Sequence, residues 1–146
     1  MTPEAASGRA GRDIFCQIAA RELAAAEVAR TSELVAFLDH RPVFKGHVLI
    51  APVQHVDTLL DLPAPLMTPL LTLAARVATA LGTGLGAQGT FVGMNNVVSQ
   101  SVPHLHLHVV PRTKGDGLRG FFWPRTSYQA GEIDTYATRI RDALET

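Results

Sequence analysis

The chain has 146 residues, a length at which one hydrophobic core buries about two-thirds of the unfolded surface, so a single domain is expected. Its 13 basic and 13 acidic residues cancel and 47% of its residues are hydrophobic, which argues against a disordered chain and a globally basic nucleic-acid surface and makes any substrate field local. Cys16 stands alone, so no internal disulfide forms, and no apolar run reads as a signal peptide or bilayer span; the expectation is a cytoplasmic soluble protein with neither membrane nor nucleic acid as partner.

In chain order, the small residues of MTPEAASGRAGRD give residues 1–12 the profile of a flexible terminus. From Asp13 to Ala29, Ile14, Ile18 and Leu23 stand among many alanines, a pattern for a short helix or turn. ELVAFLD and GHVLIAP are β-type runs joined through HRPVFK, a hairpin-like connection of about six residues that predicts an antiparallel pair. Leu66, Leu70, Leu73, Val77 and Leu81 then recur at helical steps, with Pro69 in the first turn and Gly82 as the expected end. The segment GTGLGAQGT lacks the Lys-Ser/Thr of a phosphate loop and the spacing of a dinucleotide fingerprint, and reads as a helix terminus and loop. TFVGMNN and HLHLHVVPR read as two further strands joined by a short connection holding Gln100 and Ser101. A loop with Lys114, Arg119, Phe121, Phe122, Trp123 and Arg125 follows, then a helix with Ile133, Tyr136, Ala137, Ile140 and Leu144 on one side. Strands followed by helices, with few crossover signals, predict an α+β fold on an antiparallel sheet.

The row SQSVPHLHLHVVPR carries the chemistry. Side chains alternate along an extended strand, so His104, His106 and His108 share one side while Leu105, Leu107 and Val109 share the other. Three imidazoles used as filler would need partners for six ring nitrogens, and each unpaired buried group costs about 1–3 kcal/mol. Two chemistries use such a row. Alternate histidines can ligate a metal, as in a metal-dependent hydrolase; or one neutral imidazole can attack phosphorus while its neighbours hold the phosphate oxygens. Gln100, Ser101, Asn95 and Asn96 are neutral and suit an oxyanion better than a metal, and no Asp or Glu occurs from Leu62 to Pro111.

HLHLHVV, from His104 to Val110, resembles the signature of the histidine-triad (HIT) superfamily. QSV ahead of it, DIFCQI, LVAFLDHRPVFKGHVLIAPVQHV from Leu34 to Val56, and PR behind it reinforce the resemblance across Asp13 to Arg112. It implies a core over residues 13–112, with residues 113–146 as a loop and helix packed on the same domain. The implied sheet has five antiparallel strands with helices packed on it, and a homodimer joins two such sheets into ten strands. The implied activity is a nucleotide hydrolase or nucleotidyl transferase cleaving at the α-phosphate of an NMP-X substrate, such as a dinucleoside polyphosphate or a nucleoside phosphoramidate, with AMP as the expected nucleotide. No cofactor and no catalytic metal are implied.

By the same resemblance His106 takes the place of the nucleophile, bonded covalently to the nucleotide, with its other ring nitrogen on a backbone carbonyl. His108, Gln100 and Ser101 take places around the α-phosphate, with Asn95 nearby, and His104 and His47 support the nucleophile. Asp39 receives the ribose hydroxyls; Ile14, Phe15, Phe37 and Leu49 wall the base. The chain departs from its relatives in a shorter turn with Ser99 where glycine is common, and in Asp13 where a structural-zinc Cys-x-x-Cys begins, so a zinc site from Asp13, Cys16, His55 and His104 is one expectation. Arg119 or Lys114 reaching leaving phosphates, with Trp123 stacked on a flat group, is another. A nucleotide-binding interaction module without turnover is the non-enzymatic alternative.

Overall fold

The computed structural model describes residues 13–119 and 124–145, so the expectations for residues 1–12 and for Phe121, Phe122 and Trp123 lie outside the described residues. The chain divides into two compact units, Met1–Lys114 and Gly115–Thr146.

The first unit is built on a five-stranded, wholly antiparallel sheet of β1 (Glu27–Arg30), β2 (Leu34–Leu38), β3 (Val48–Pro52), β4 (Gly89–Gly93) and β5 (Leu107–Arg112), in the order β1-β2-β3-β5-β4. The pair read from ELVAFLD and GHVLIAP is present in full register, Leu34 opposite Pro52 through Leu38 opposite Val48. Its connection is longer than the hairpin-like one expected, because the strands end at Leu38 and begin at Val48. β1 is the strand the sequence hides: EVAR has little alternation and lies in an alanine-rich stretch. It is anchored instead by Arg30, whose guanidinium pairs with Glu27 and donates to the carbonyls of Ala19 (2.9 Å) and Ile18 (3.2 Å), neutralising the last carbonyls of α1 (Ile14–Ala19).

Each face of the sheet has its own cover. Leu70, Leu73, Ala74, Val77 and Leu81 of α2 (Met67–Leu85) are buried with Leu34, Ala36, Val48, Ile50, Leu105, Leu107 and Val109. On the opposite face Phe15, Ile18 and Ala19 of α1 are buried with Val35, Phe37, Leu49 and Ala51. A fully buried side chain of this size contributes about 1.5–3 kcal/mol, so the two clusters fix the strand register. The stretch Ala64–Leu85 does have the length and apolar composition to cross a membrane, against the sequence expectation, yet its leucine stripe is spent on this sheet face. The helix also outruns its expected end at Gly82. Gly86, at φ 74°, terminates it with its N–H on the Gly82 carbonyl while the Ala87 N–H reaches Leu81, because only the later glycine adopts the left-handed conformation.

The HLHLH row keeps its alternation although β5 begins only at Leu107. Leu105, Leu107 and Val109 enter the α2-facing core, while His106 and His108 line a cleft with Phe15, Phe37 and Leu49 of the opposite face. The segment between β4 and β5, residues 94–106, is longer than the short connection expected. Within it Val97 and Ser99 both have positive φ, 71° and 60°, a conformation that glycine adopts with no steric cost.

The second unit contains α3 (Glu132–Leu144), the helix expected from Ile133, Tyr136, Ile140 and Leu144. Gly131 precedes it at φ 79°, and the Glu132 carboxylate accepts the Gln129 N–H at 2.7 Å. The apolar side chains named are exposed.

Candidate active site

On the α1 face of the sheet lies a cleft of about 840 Å³. Its walls include Ile14, Phe15, Phe37 and Leu49, the four apolar residues picked from the sequence, with Asp39, Ser101, His106 and His108 at its polar side. The fold explains the gathering: Leu49 stands opposite His108 across β3 and β5, and Phe37 stands opposite Leu49 across β2 and β3. Phe15, on α1, packs its ring edge against His106 with centroids 4.8 Å apart. Ile18, Leu23, Ala24, Ala25, Ala26, Leu38, His40 and Val102 complete the wall; the sequence marks none of them as a site residue, since alanines give no pattern to find, though His40 adjoins Asp39.

Hydrogen-bond partners fix the histidine tautomers. The His106 Nδ1 lies 2.8 Å from the His104 carbonyl oxygen; a carbonyl only accepts, so Nδ1 carries the proton and Nε2 keeps its lone pair. The backbone N–H of Val43 donates to His47 Nδ1 at 3.1 Å, so His47 carries its proton on Nε2 and donates it to His108 Nδ1 at 2.9 Å. That leaves His108 with Nε2–H, a donor. The pair in the cleft is thus a bare nitrogen on His106 and an N–H on His108, with ring centroids 5.1 Å apart.

Electrostatics keep these rings neutral. Burial pushes the His106 pKa below its ordinary 6.5, only partly opposed by the backbone hydrogen bond at His104. Burial, with His106 and His47 nearby, lowers that of His108 to about 4, and burial lowers that of His47 despite Asp39. The Asp39 carboxylate accepts the Arg41 N–H at 2.9 Å through Oδ1, and its Oδ2 lies 3.7 Å from His47 Nδ1.

Two residues expected at the phosphate are otherwise engaged. Gln100 donates from Nε2 to the Asp57 carbonyl at 2.6 Å and accepts the Val97 N–H at 3.0 Å. Asn95 donates to the Ser99 carbonyl at 3.1 Å. Both amides hold the shape of the 95–101 loop, while Ser101 lines the cleft. His104 is fully buried behind the row, its Nε2–H on the Pro52 carbonyl at 2.9 Å. The three triad rings therefore do not converge as metal ligands. Among the described residues the close donor clusters are Asp39-His47-His108, whose two histidines are hydrogen bonded to each other, and Asp13-Cys16-His55-His104.

The second cluster does fit a divalent metal. Asp57 takes the His55 Nε2–H at 2.5 Å and Pro52 takes that of His104, so both Nδ1 lone pairs face inward. His55 Nδ1 lies 3.3 Å from Cys16 Sγ and 3.1 Å from Asp13 Oδ2, and His104 Nδ1 lies 3.4 Å from Sγ and 3.2 Å from Asp13 Oδ1. The edges of a tetrahedral zinc site are about 3.3 Å for N···O and about 3.5 Å for N···S. Asp13 Oδ2 is buried without a hydrogen bond. With four protein donors the site is closed, so a zinc ion there would supply structure and charge neutralisation and leave no position for substrate.

A five-stranded antiparallel sheet with helices, bearing a row of alternate histidines beside an apolar cleft, defines the histidine-triad class of nucleotide-handling proteins. The HIT domain family matches residues 20–115, and the chain belongs to that family. It is 28% identical over 134 residues, 90% of this chain and 98% of the relative, to the adenosine 5′-monophosphoramidase hnt1 of Schizosaccharomyces pombe. It is 35% identical over 89 residues to the asymmetrical bis(5′-nucleosyl)-tetraphosphatase of the same yeast, across 60% of this chain and 49% of that protein. Among solved structures, a zinc-bound histidine triad family protein from Mycobacterium smegmatis superposes with a TM-score of 0.71 at 28% identity, covering 92% of this chain and 99% of that one. At this level the chain is grouped with nucleotide hydrolases.

Proposed function

We propose that this chain hydrolyses an AMP-X compound at the α-phosphate through a nucleotidyl bond to His106. The observation that supports it most is the hydrogen bond from His106 Nδ1 to the His104 carbonyl, which leaves Nε2 as an unprotonated nucleophile at the cleft. In the first step the Nε2 lone pair forms a bond to the α-phosphorus, the P–X bond breaks, and X leaves with the bonding pair and takes up a proton. The substituted ring is then cationic, and the His104 carbonyl stabilises it through the retained Nδ1–H. In the second step water adds to phosphorus and loses a proton, the P–N bond breaks, and its electron pair returns to Nε2. The His108 Nε2–H, held in that tautomer by His47, meets the charge on the phosphate oxygens. Ser101 adds a hydroxyl donor, Asp39 accepts from the ribose, and the base lies between Ile14, Phe15, Phe37 and Leu49.

The relatives carry names for both phosphoramidate and dinucleoside tetraphosphate cleavage, so X is an amine or a polyphosphate-linked nucleoside. The zinc named in the mycobacterial relative supports reading Asp13, Cys16, His55 and His104 as donors to such an ion here. We further propose a homodimer paired along β4, which lies at the edge of the sheet. The test is His106→Asn, assayed on adenosine 5′-phosphoramidate and diadenosine tetraphosphate with AMP binding as the folding control. Loss of about 10⁴-fold or more in turnover with AMP binding retained is expected; turnover kept within tenfold contradicts the covalent route. Wild-type protein that binds AMP and turns over neither compound would favour a nucleotide-binding module.

A further inference from the structure

The long helix does not roof the whole sheet. α2 packs chiefly over β5, β4 and β3, leaving the β1 edge and the Leu38 end of β2 less covered on that face. There a cavity of about 720 Å³ opens between the sheet and the flank of the helix, walled by Val28, Leu38, Leu73, Val77 and Leu85. Two small residues keep it open. Ala80 presents only a methyl group from the helix. Gly46, at φ 103°, leaves Leu85 the room that a Cβ would take, since one built there would stand 2.5 Å from Leu85 Cδ1. Val28, Leu38 and Leu85 are large apolar side chains left exposed around the opening, a contiguous patch of the kind that marks a binding surface.

The polar content of the cavity selects its occupant. Among the described residues its lining offers two cations, Lys45 and Arg76, and no acid, hydroxyl or side-chain amide. Neither cation has an ion pair or a side-chain hydrogen bond among the described residues. A peptide or a sugar would bring amides or hydroxyls against a wall that cannot satisfy them, which is costly for each group left unpaired. A hydrocarbon chain leaves no group unmatched, and a carboxylate at its end meets a guanidinium in a two-pronged hydrogen bond. The volume is that of a site for one small molecule. We propose that this cavity binds a free single-chain amphiphile of the fatty-acid type, its chain between α2 and the β1–β2 corner and its anionic head at Lys45 and Arg76. The site is separate from the nucleotide cleft, which lies on the opposite face of the sheet and shares only Leu38 with it. It also lies at the β1 edge, away from the β4 edge given to the dimer. Binding there does not depend on the chemistry proposed for His106.

The test is calorimetric titration of the full chain with dodecanoate below its micelle concentration. One equivalent should bind with a Kd of about 10–100 µM, and octanoate should bind at least about tenfold more weakly. Dodecyltrimethylammonium, with the same chain and the opposite charge, should also bind at least about tenfold more weakly. Saturating AMP should leave the dodecanoate Kd within about twofold. In methyl NMR the acid should shift Val28, Val77 and Leu85 and leave Leu49 of the cleft in place. Lys45→Glu and Arg76→Glu, both at exposed positions, should each weaken uptake about tenfold while AMP binding and the melting transition are kept. Ala80→Trp, which fills the cavity, should abolish uptake; if that variant does not fold, the two charge reversals decide. A full chain that takes up no dodecanoate, as when protein already fills the cavity, overturns the proposal. So does displacement by AMP with shifts at Leu49, which puts the acid in the cleft, or equal affinity for the cationic chain, which makes the cavity an unselective apolar patch. Sedimentation with phosphatidylglycerol vesicles that the charge reversals abolish would make this face a membrane surface and overturn it as well.

Discussion

A neutral imidazole attacks and a charged one does not, so where His106 titrates decides the pH range of the proposed hydrolysis. Burial holds His106, His108 and His47 below the ordinary 6.5, His108 at about 4. Lowering the pH through 6.5 should therefore leave kcat/KM on phosphoramidate nearly flat, with the acid limb appearing only below it. A limb at 6.5 or above would show that His106 is solvated and that its tautomer is not fixed. The same burial has a sign for stability. Between 6.5 and about 4 the unfolded chain binds protons that the folded histidines refuse, so the histidine contribution is full above 6.5 and is lost as pH falls through that window. Thermal melts from pH 7 to pH 4 should show a falling midpoint that is shallower in His108→Asn, and an unchanged difference would contradict the assignment.

At the scale of elements, α2 holds the clearest test of how its end is set. Gly84 is exposed within the helix and an added Cβ there meets nothing within 4 Å, so Gly84→Ala should raise stability by up to about 1 kcal/mol, a shift of roughly 2–5 °C in the melting midpoint. Gly86→Ala should lower it by about 1 kcal/mol because position 86 is left-handed. Equal effects at the two sites would mean that the cap is not at Gly86. This pair also shows what a sequence yields. Helical leucine spacing and the alternation of the HLHLH row were legible because burial periodicity is written in residue type. The helix end was not, since Gly82 and Gly86 are the same residue and differ only in φ. β1 escaped because Arg30, through bonds to distant carbonyls, replaces the missing apolar pattern. In the site, the apolar wall and the Asp39, His106 and His108 positions could be read, whereas the engagement of Gln100 with Asp57 depends on a loop path that residue types do not encode.

For the molecule as a whole, the proposed dimer makes a specific demand on surfaces outside the cleft. Met67 and Leu71 on α2 and Val92 on β4 are exposed large apolar residues, and pairing along the β4 edge would cover such groups. Leu71→Glu combined with Val92→Lys should convert a dimer into a monomer in sedimentation equilibrium while leaving the melting transition cooperative; a wild-type monomer at tens of micromolar, or a variant that stays dimeric, would remove that assembly.

The proposed covalent bond to His106 would leave a stereochemical record. An AMP-X substrate of single configuration, carrying sulfur at the α-phosphorus and hydrolysed in oxygen-18 water, should yield product with configuration retained, because two in-line displacements invert twice. Inversion would mean that water attacks directly, and the role given to His106 would be wrong.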